Sequence, residues 1–294
     1  MADLVTSNDP RKVVVITGCS SGLGRSMAIE FDAQKQYRVF ATARNPDSLR
    51  ELPAGIERVQ LDVTDQQSIK AAFDNITHET NGRIDILVNN AGVNHAVGPL
   101  VETDLQRIRN TFEPNFFGLI AVTQAAAPYM IKRRSGTIVN IGSTAAIANM
   151  PFGATYSASK AAVHALSDVL RLELAGFGIK VVVVAPGKIK SSIGDTGSSH
   201  ISLPHDSAYK HVEDIVQYRA QFSQLGNPTP TDVFAKTVRK WVAVANPGPY
   251  LFTGSKSLTV WIAYYLPTWM KDRLIGAMFN ASRIGKTGPK DKNV

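Results

Sequence analysis

Cysteine is almost missing from this 294-residue chain: Cys19 is the only one, which rules out an internal disulfide framework and fits a reducing, cytoplasmic setting. Charge is sparse as well. Charged residues make up 19% against 44% hydrophobic ones, a balance that excludes a disordered chain and suits a globular enzyme. No basic run with interleaved aromatics occurs, so the net charge of +8 points away from nucleic acid and toward a phosphorylated ligand or anionic lipid. Long hydrophobic stretches are lacking too. The run over 258–266 falls short of the roughly 20 residues needed to span a bilayer, and Pro267 interrupts it. Histidines are few, and His200, His205 and His211 lack the convergence of a metal site, so no metal is expected. The opening MADLVTSNDPRK is polar and acidic in part, unlike a signal or transit peptide.

What is present is a regular alternation. KVVVIT (12–17), YRVFATA (37–43), IERVQLDV (56–63), IDILVNN (84–90), GTIVNIGS (136–143), IKVVVVAPG (179–187) and GPYLFTG (248–254) read as strands, with helical apolar spacing between them, first over 24–34. Most of these runs are apolar throughout rather than alternating, which implies burial on both faces. The expectation is a single doubly wound α/β domain of the Rossmann type, a mostly parallel seven-stranded sheet with helices on both faces, covering 1–254. Two regions break the rhythm. Residues 188–230 are polar and follow a strand end, as a substrate lid or mobile loop would. Residues 255–294 form an extension that is first apolar and then basic.

The first strand runs into TGCSSGLG. Gly18, Gly22 and Gly24 supply backbone without Cβ atoms, Ser20 and Ser21 add hydroxyls, and after Leu23 a helix N-terminus follows. This suits a dinucleotide pyrophosphate, although a tight strand-to-helix turn would use the same residues. The second strand ends in ATARN, with Thr42 and Arg44 and no carboxylate of the kind that binds a ribose 2′-hydroxyl. Arginine there suits a 2′-phosphate, so the expected cofactor is NADP(H); the alternative is a solvated loop arginine.

YSASK places Tyr156 and Lys160 four apart, on one face of a helix that continues through KAAVHALSDVLRLEL. A neighbouring ammonium favours the phenolate, so Lys160 is expected to lower the Tyr156 pKa. Together with TGCSSGLG, LDVT at Asp62, NNAG over 89–92, Asn115 in EPNFFG, Ser143 in IGS and PGKIKSS from Pro186, this pattern resembles the short-chain dehydrogenase/reductase family from Lys12 to about Gly254. The resemblance implies that Tyr156 exchanges a proton with the substrate oxygen, with Lys160 holding the nicotinamide ribose and Ser143 hydrogen-bonding the carbonyl. It implies that Asn115 anchors a water linking Lys160 to solvent. Asp62 and Val63 would border the adenine, with Asn90, Ala91 and Gly92 beside it. Pro186, Gly187, Ile189 and Ser191 would close over the nicotinamide, with Ser191 standing where the family usually has threonine. Taken singly, Asn115 and Ser143 also fit structural turn roles, and Asp62 fits a partner to a helix starting near Asp65. His95 fits either a substrate contact or a solvated loop residue.

PFGATYSASKAAVHALSDVLRLEL with the later VWIAYYLPTWMKDRL is similar to fungal 1-acyldihydroxyacetone-phosphate reductases. That implies a bulky carbonyl or alcohol substrate and a place in lipid metabolism, cytoplasmic or peripheral on endoplasmic reticulum or lipid-droplet membrane. The alternatives are a secondary-metabolite ketoreductase and a non-enzymatic NADP(H)-binding regulator. The tail over 257–294, with Lys271, Arg273, Arg283, Lys286, Lys290 and Lys292, either lies in a membrane interface or packs over the cleft or a homo-oligomer contact.

Overall fold

The computed structural model describes residues 9–191 and 201–286. Seven strands, β1 (Lys12–Ile16), β2 (Tyr37–Ala43), β3 (Ile56–Gln60), β4 (Ile86–Asn89), β5 (Gly136–Ile141), β6 (Ile179–Pro186) and β7 (Tyr250–Thr253), form one sheet in the order β3-β2-β1-β4-β5-β6-β7. Every pairing between these strands is parallel. The single-domain, doubly wound expectation therefore holds. The order reverses between β1 and β4, which opens a crevice at the carboxyl ends of those two strands.

Among the described residues the α-helices are α1 (Gly22–Ala33), α2 (Gln66–Glu79), α3 (Leu105–Phe112), α4 (Gly118–Arg133), α5 (Ala154–Ala175), α6 (Glu213–Gln221), α7 (Thr231–Ala243), α8 (Ser257–Tyr264) and α9 (Thr268–Met278). Alternate residues of β1 divide the core. Val14 and Ile16 pack with Met27 and Phe31 of α1 and Phe234 and Val238 of α7. Val13 and Val15 pack on the other side with Phe73 and Ile76 of α2 and Val122 and Met130 of α4. A central strand buried on both faces needs an apolar residue at each position, which is why VVVI is continuous.

Most strands are one to three residues shorter than the sequence reading gives, and two boundaries matter for the site. The first helix begins at Gly22, not at 24, so the last glycines of the loop lie within its first turn. The third strand stops at Gln60 rather than at 63, because Asp62 leaves the sheet and accepts from the Thr64 amide and hydroxyl at 2.9 and 2.7 Å. The cap of α2 is Asp65, whose carboxylate accepts from the Gln67 amide, so Asp62 is free of that duty.

The extension after β7 is not a separate appendage. Phe279, 1% exposed, enters a third core with Val212, Ile215 and Val216 from the 201–230 segment, and Arg283 pairs with Asp214 at 2.7 Å. Lys290 and Lys292 of the basic tail, and His200, lie outside the described residues.

Candidate active site

The carboxyl ends of β1 to β6 meet one cavity of about 1270 Å³. At its floor the loop after β1 comes within van der Waals limits of the turn after β4. A Cβ on Gly18 (φ +70°) would sit 2.8 Å from the Ala91 Cα, and one on Gly24 would sit 2.3 Å from the Gly18 carbonyl oxygen. Thr17, which the sequence reading passed over, fastens the two: its hydroxyl accepts from the Asn90 and Ala91 amides at 2.9 and 3.0 Å. Asn90 returns hydrogen bonds to the carbonyls of Thr17 and Gly18 at 2.8 and 3.1 Å. The resulting cradle of backbone, with Ser20, Ser21, Gly22 and Leu23 in the cavity wall at the start of a 12-residue helix, fits a pyrophosphate.

Most expected cofactor contacts share this wall: Arg44, Asp62, Val63, Asn90, Ala91, Gly92, Pro186, Gly187, Ile189 and Ser191. Gly24 and Thr42 do not. Gly24 is buried beneath the loop, and Thr42 is fully buried in β2, where only its backbone oxygen reaches the glycine loop, accepting from Cys19 at 2.8 Å. Arg44 is exposed at the end of β2. Among the described residues its guanidinium has no carboxylate partner, whereas Asp47 nearby is paired with Arg50 at 2.7 Å. A Gln224 side chain braces the closing segment, donating to the Ile189 carbonyl and accepting from the Ser191 amide, both at 3.2 Å. His95 stands exposed at the cavity lip.

Ser143, Tyr156 and Lys160 line the inner end. Ser143 follows β5 and caps a short turn, accepting from the Ala145 amide at 3.0 Å, and Tyr156 lies in the first turn of α5. Lys160, one turn on, is 3% exposed and donates from Nζ to the Ile141 carbonyl at 2.8 Å. Asn115 stands behind them in a π-helical turn (Glu113–Phe117) between α3 and α4. Its Oδ1 accepts from the Val93 amide at 2.7 Å, while Nδ2 donates to the Val93 carbonyl at 2.9 Å and to Ser159 Oγ at 3.1 Å. π-turns of this kind recur at functional sites.

The protonation states differ from the expectation. Burial holds the Tyr156 phenol above its ordinary pKa, and interaction with the Ser143 hydroxyl and the Arg219 charge pulls it only partly back. Burial also pushes Lys160 down to about 8. The ammonium is turned to the Ile141 carbonyl, 5.8 Å from the centre of the tyrosine ring, so it does not offset the loss of solvent around the phenol. His164 supports the site from behind, its Nε2 accepting from the Ser143 amide at 3.3 Å, and burial drives its pKa down to about 4. Cys19 is buried, with a thiol pushed up to about 12, and is no nucleophile.

A crevice at the switch point, a glycine cradle under it, and a serine, tyrosine and lysine at its inner end define a dinucleotide-binding oxidoreductase site. The short chain dehydrogenase family profile matches residues 12–200. The chain belongs to this family, whose members bind nicotinamide cofactors and act on small molecules. It is 34% identical to the short-chain dehydrogenase cctT of Talaromyces islandicus, over 94% of this chain and 98% of the relative. It is 32% identical to the NADPH-dependent 1-acyldihydroxyacetone phosphate reductase of Schizosaccharomyces pombe, over 81% of this chain and 78% of that one. Among solved structures, a short-chain dehydrogenase from Streptomyces avermitilis superposes with a TM-score of 0.76 at 30% identity, covering 94% of this chain and all of its own. A serine dehydrogenase complexed with NADP+ gives 0.70 at 26%, covering 82% of this chain and 94% of its own.

Proposed function

We propose that this oxidoreductase is an NADPH-dependent reductase of a ketone bearing a bulky apolar portion. The observation that carries the reading is Tyr156: a half-buried phenol, kept protonated, beside the Ser143 hydroxyl at the inner end of the cofactor-sized cavity. A protonated phenol is the form that serves carbonyl reduction. When bound, the nicotinamide cofactor supplies hydride to the carbonyl carbon. Tyr156 gives its proton to the carbonyl oxygen, and Ser143 hydrogen-bonds that oxygen as negative charge develops on it. Lys160, with one proton on Ile141, keeps two for the ribose hydroxyls. Asn115 fixes the first turn of α5 through Ser159 and so holds Tyr156 and Lys160 in place.

The preference for the 2′-phosphate rests on Arg44, which has no carboxylate partner in the described structure, and is supported by the NADPH dependence and the NADP+ complex named for two similar proteins. The apolar substrate portion rests on the far wall, where Val260, Ala263, Leu274, Ile275 and Met278 of the extension face the cavity, with Tyr218 and Phe222 of the 188–230 lid. An acyl-dihydroxyacetone phosphate fits this description. The opposite face of the extension exposes Leu258, Trp261, Tyr265 and Trp269, with Lys256 and Arg273 at its borders, and serves as a surface for anionic lipid.

NADPH oxidation screened against ketones from acetone size to acyl-chain size tests the reading, with Tyr156→Phe as control. The expected result is turnover that rises with apolar chain length and falls by about 10²- to 10⁴-fold in the variant. Turnover undiminished in Tyr156→Phe would sink the mechanism.

A further inference from the structure

Arg219, on the inward face of α6, is 6% exposed, yet its Nε has no hydrogen-bond partner. No ion pair with any described residue engages its guanidinium. The two carboxylates on its own helix are committed elsewhere: Glu213 to the Leu203 amide and Lys210, Asp214 to Arg283. A buried guanidinium without a partner costs stability, and a chain retains one where something else supplies the partner.

Its position says what that is. The guanidinium lies flat against Gly153, where a Cβ would sit 2.5 Å from Nη2 and 2.7 Å from Nε. Gly153 is the N-cap of α5, three residues before Tyr156. The cation thus shares the cavity with the positive end of a 22-residue helix and with Lys160, Lys188 and Lys271. Against these the described wall offers two carboxylates, Asp62 and Glu113, and Asp62 is occupied by Thr64. Arg219 and Tyr156 sit close enough to perturb one another's protonation. Arg44 is at the cofactor end, so the positive charge around Arg219 belongs to the substrate end.

We propose that Arg219 is the substrate-anchoring residue of this site, taking an oxyanion, a carboxylate or a phosphate monoester, carried on the substrate near its reacting carbonyl. A planar fork of donors matches either group bidentately, and burial makes the pair selective against neutral analogues. The ketone then enters with its charged end on Arg219 and its apolar portion along α8 and α9. This deepens the reductase reading and rests on it for the word substrate.

The test uses the NADP+-bound protein and calorimetric titration with decanoate, decyl phosphate and decan-1-ol. The expected result is binding of at least one anion ten or more times tighter than the alcohol; whichever anion wins identifies the headgroup. Arg219→Gln removes that preference and Arg219→Lys keeps part of it. In turnover, the ratio of kcat/KM for 4-oxodecanoate over its methyl ester, or for an acyl-dihydroxyacetone phosphate over its dephosphorylated form, falls tenfold or more in Arg219→Gln. Equal binding of all three probes to the wild type overturns the proposal, as does a preference that survives Arg219→Gln or a loss shared equally by charged and neutral ketones. Should Arg219→Gln fail to fold, the wild-type probe series and Arg219→Lys decide. An anion preference that depends on Arg219 in a protein that reduces no ketone would leave this inference standing and remove the reductase reading.

Discussion

Asn115 Nδ2 donates to Ser159 Oγ at 3.1 Å, and that hydroxyl donates in turn to the Tyr156 carbonyl at 2.8 Å, so the π-turn and the first turn of α5 form one hydrogen-bonded unit. The same amide holds Val93, at the turn that borders the cavity, through both of its backbone groups. One side chain therefore sets the distance between the wall after β4 and the helix that carries Tyr156 and Lys160.

Replacing Asn115 by Ala strands the Val93 amide and carbonyl and frees Ser159. Unpaired buried backbone groups cost on the order of 1–3 kcal/mol each. Urea unfolding should show a loss of about 2 kcal/mol, and kcat should fall tenfold or more while KM for NADPH changes less. Full kcat in a protein destabilised by that amount would show that Asn115 is structural alone.

Arg44 stands where a carboxylate would select NADH. On the proposed NADPH reading, Arg44→Asp removes a charge-assisted contact worth about 1.5–3 kcal/mol and places repulsion in its stead. Fluorescence titration should show NADPH affinity falling by roughly tenfold to a hundredfold, with NADH affinity held or improved. An unchanged NADPH-to-NADH ratio would move the 2′-phosphate elsewhere in the cavity.

His164 makes the protein sensitive to acid. Its folded pKa is about 4 against an ordinary 6.5, because burial and the nearby Lys160 charge oppose protonation. Between these values the unfolded chain takes up a proton that the folded chain does not. Stability is therefore full above pH 6.5, falls as pH drops toward 4, and is flat below for this group. The loss over that window is about 3 kcal/mol at most. His164→Gln keeps an acceptor for the Ser143 amide and should flatten the acid limb of a denaturation series; an unaltered limb would assign acid sensitivity to other groups.

The strands were readable because a sheet covered on both faces admits little but β-branched and aliphatic residues, as in VVVI and VVVVAP. The tight turn after β1 was readable because close backbone approach demands glycine at Gly18 and Gly24. Other features left no such mark. Thr17 and Ser159 act through single hydroxyl hydrogen bonds that many residues of their type make elsewhere. Arg219 lies in a polar stretch where its spacing from Tyr156 in the chain says nothing of their meeting in the cavity. The rise of the Tyr156 pKa escaped a sequence argument built on the i, i+4 lysine, since burial depends on what covers α5, and the cover is formed in part by α6 and its guanidinium.

The extension carries the last expectation. Among the described residues no helix is long and apolar enough to cross a membrane, yet α8 contains no charged residue and turns Leu258, Trp261 and Ile262 outward, followed by Tyr265 and Trp269. The same two helices line the cavity with their inner faces, so a lipid surface gathered outside would lie beside the cavity mouth. An aromatic face bordered by Lys256 and Arg273 should bind anionic vesicles more strongly than neutral ones and lose that preference in high salt. Phosphatidylserine vesicles should pellet the protein and shift its tryptophan emission to the blue. The double variant Trp261→Ser, Trp269→Ser should stay in the supernatant and still fold, since both side chains are exposed, at 40% and 66%. Pelleting that persists in this variant would place the lipid contact elsewhere, and a wild-type protein that forms dimers instead of pelleting would make the face a contact between copies of the chain.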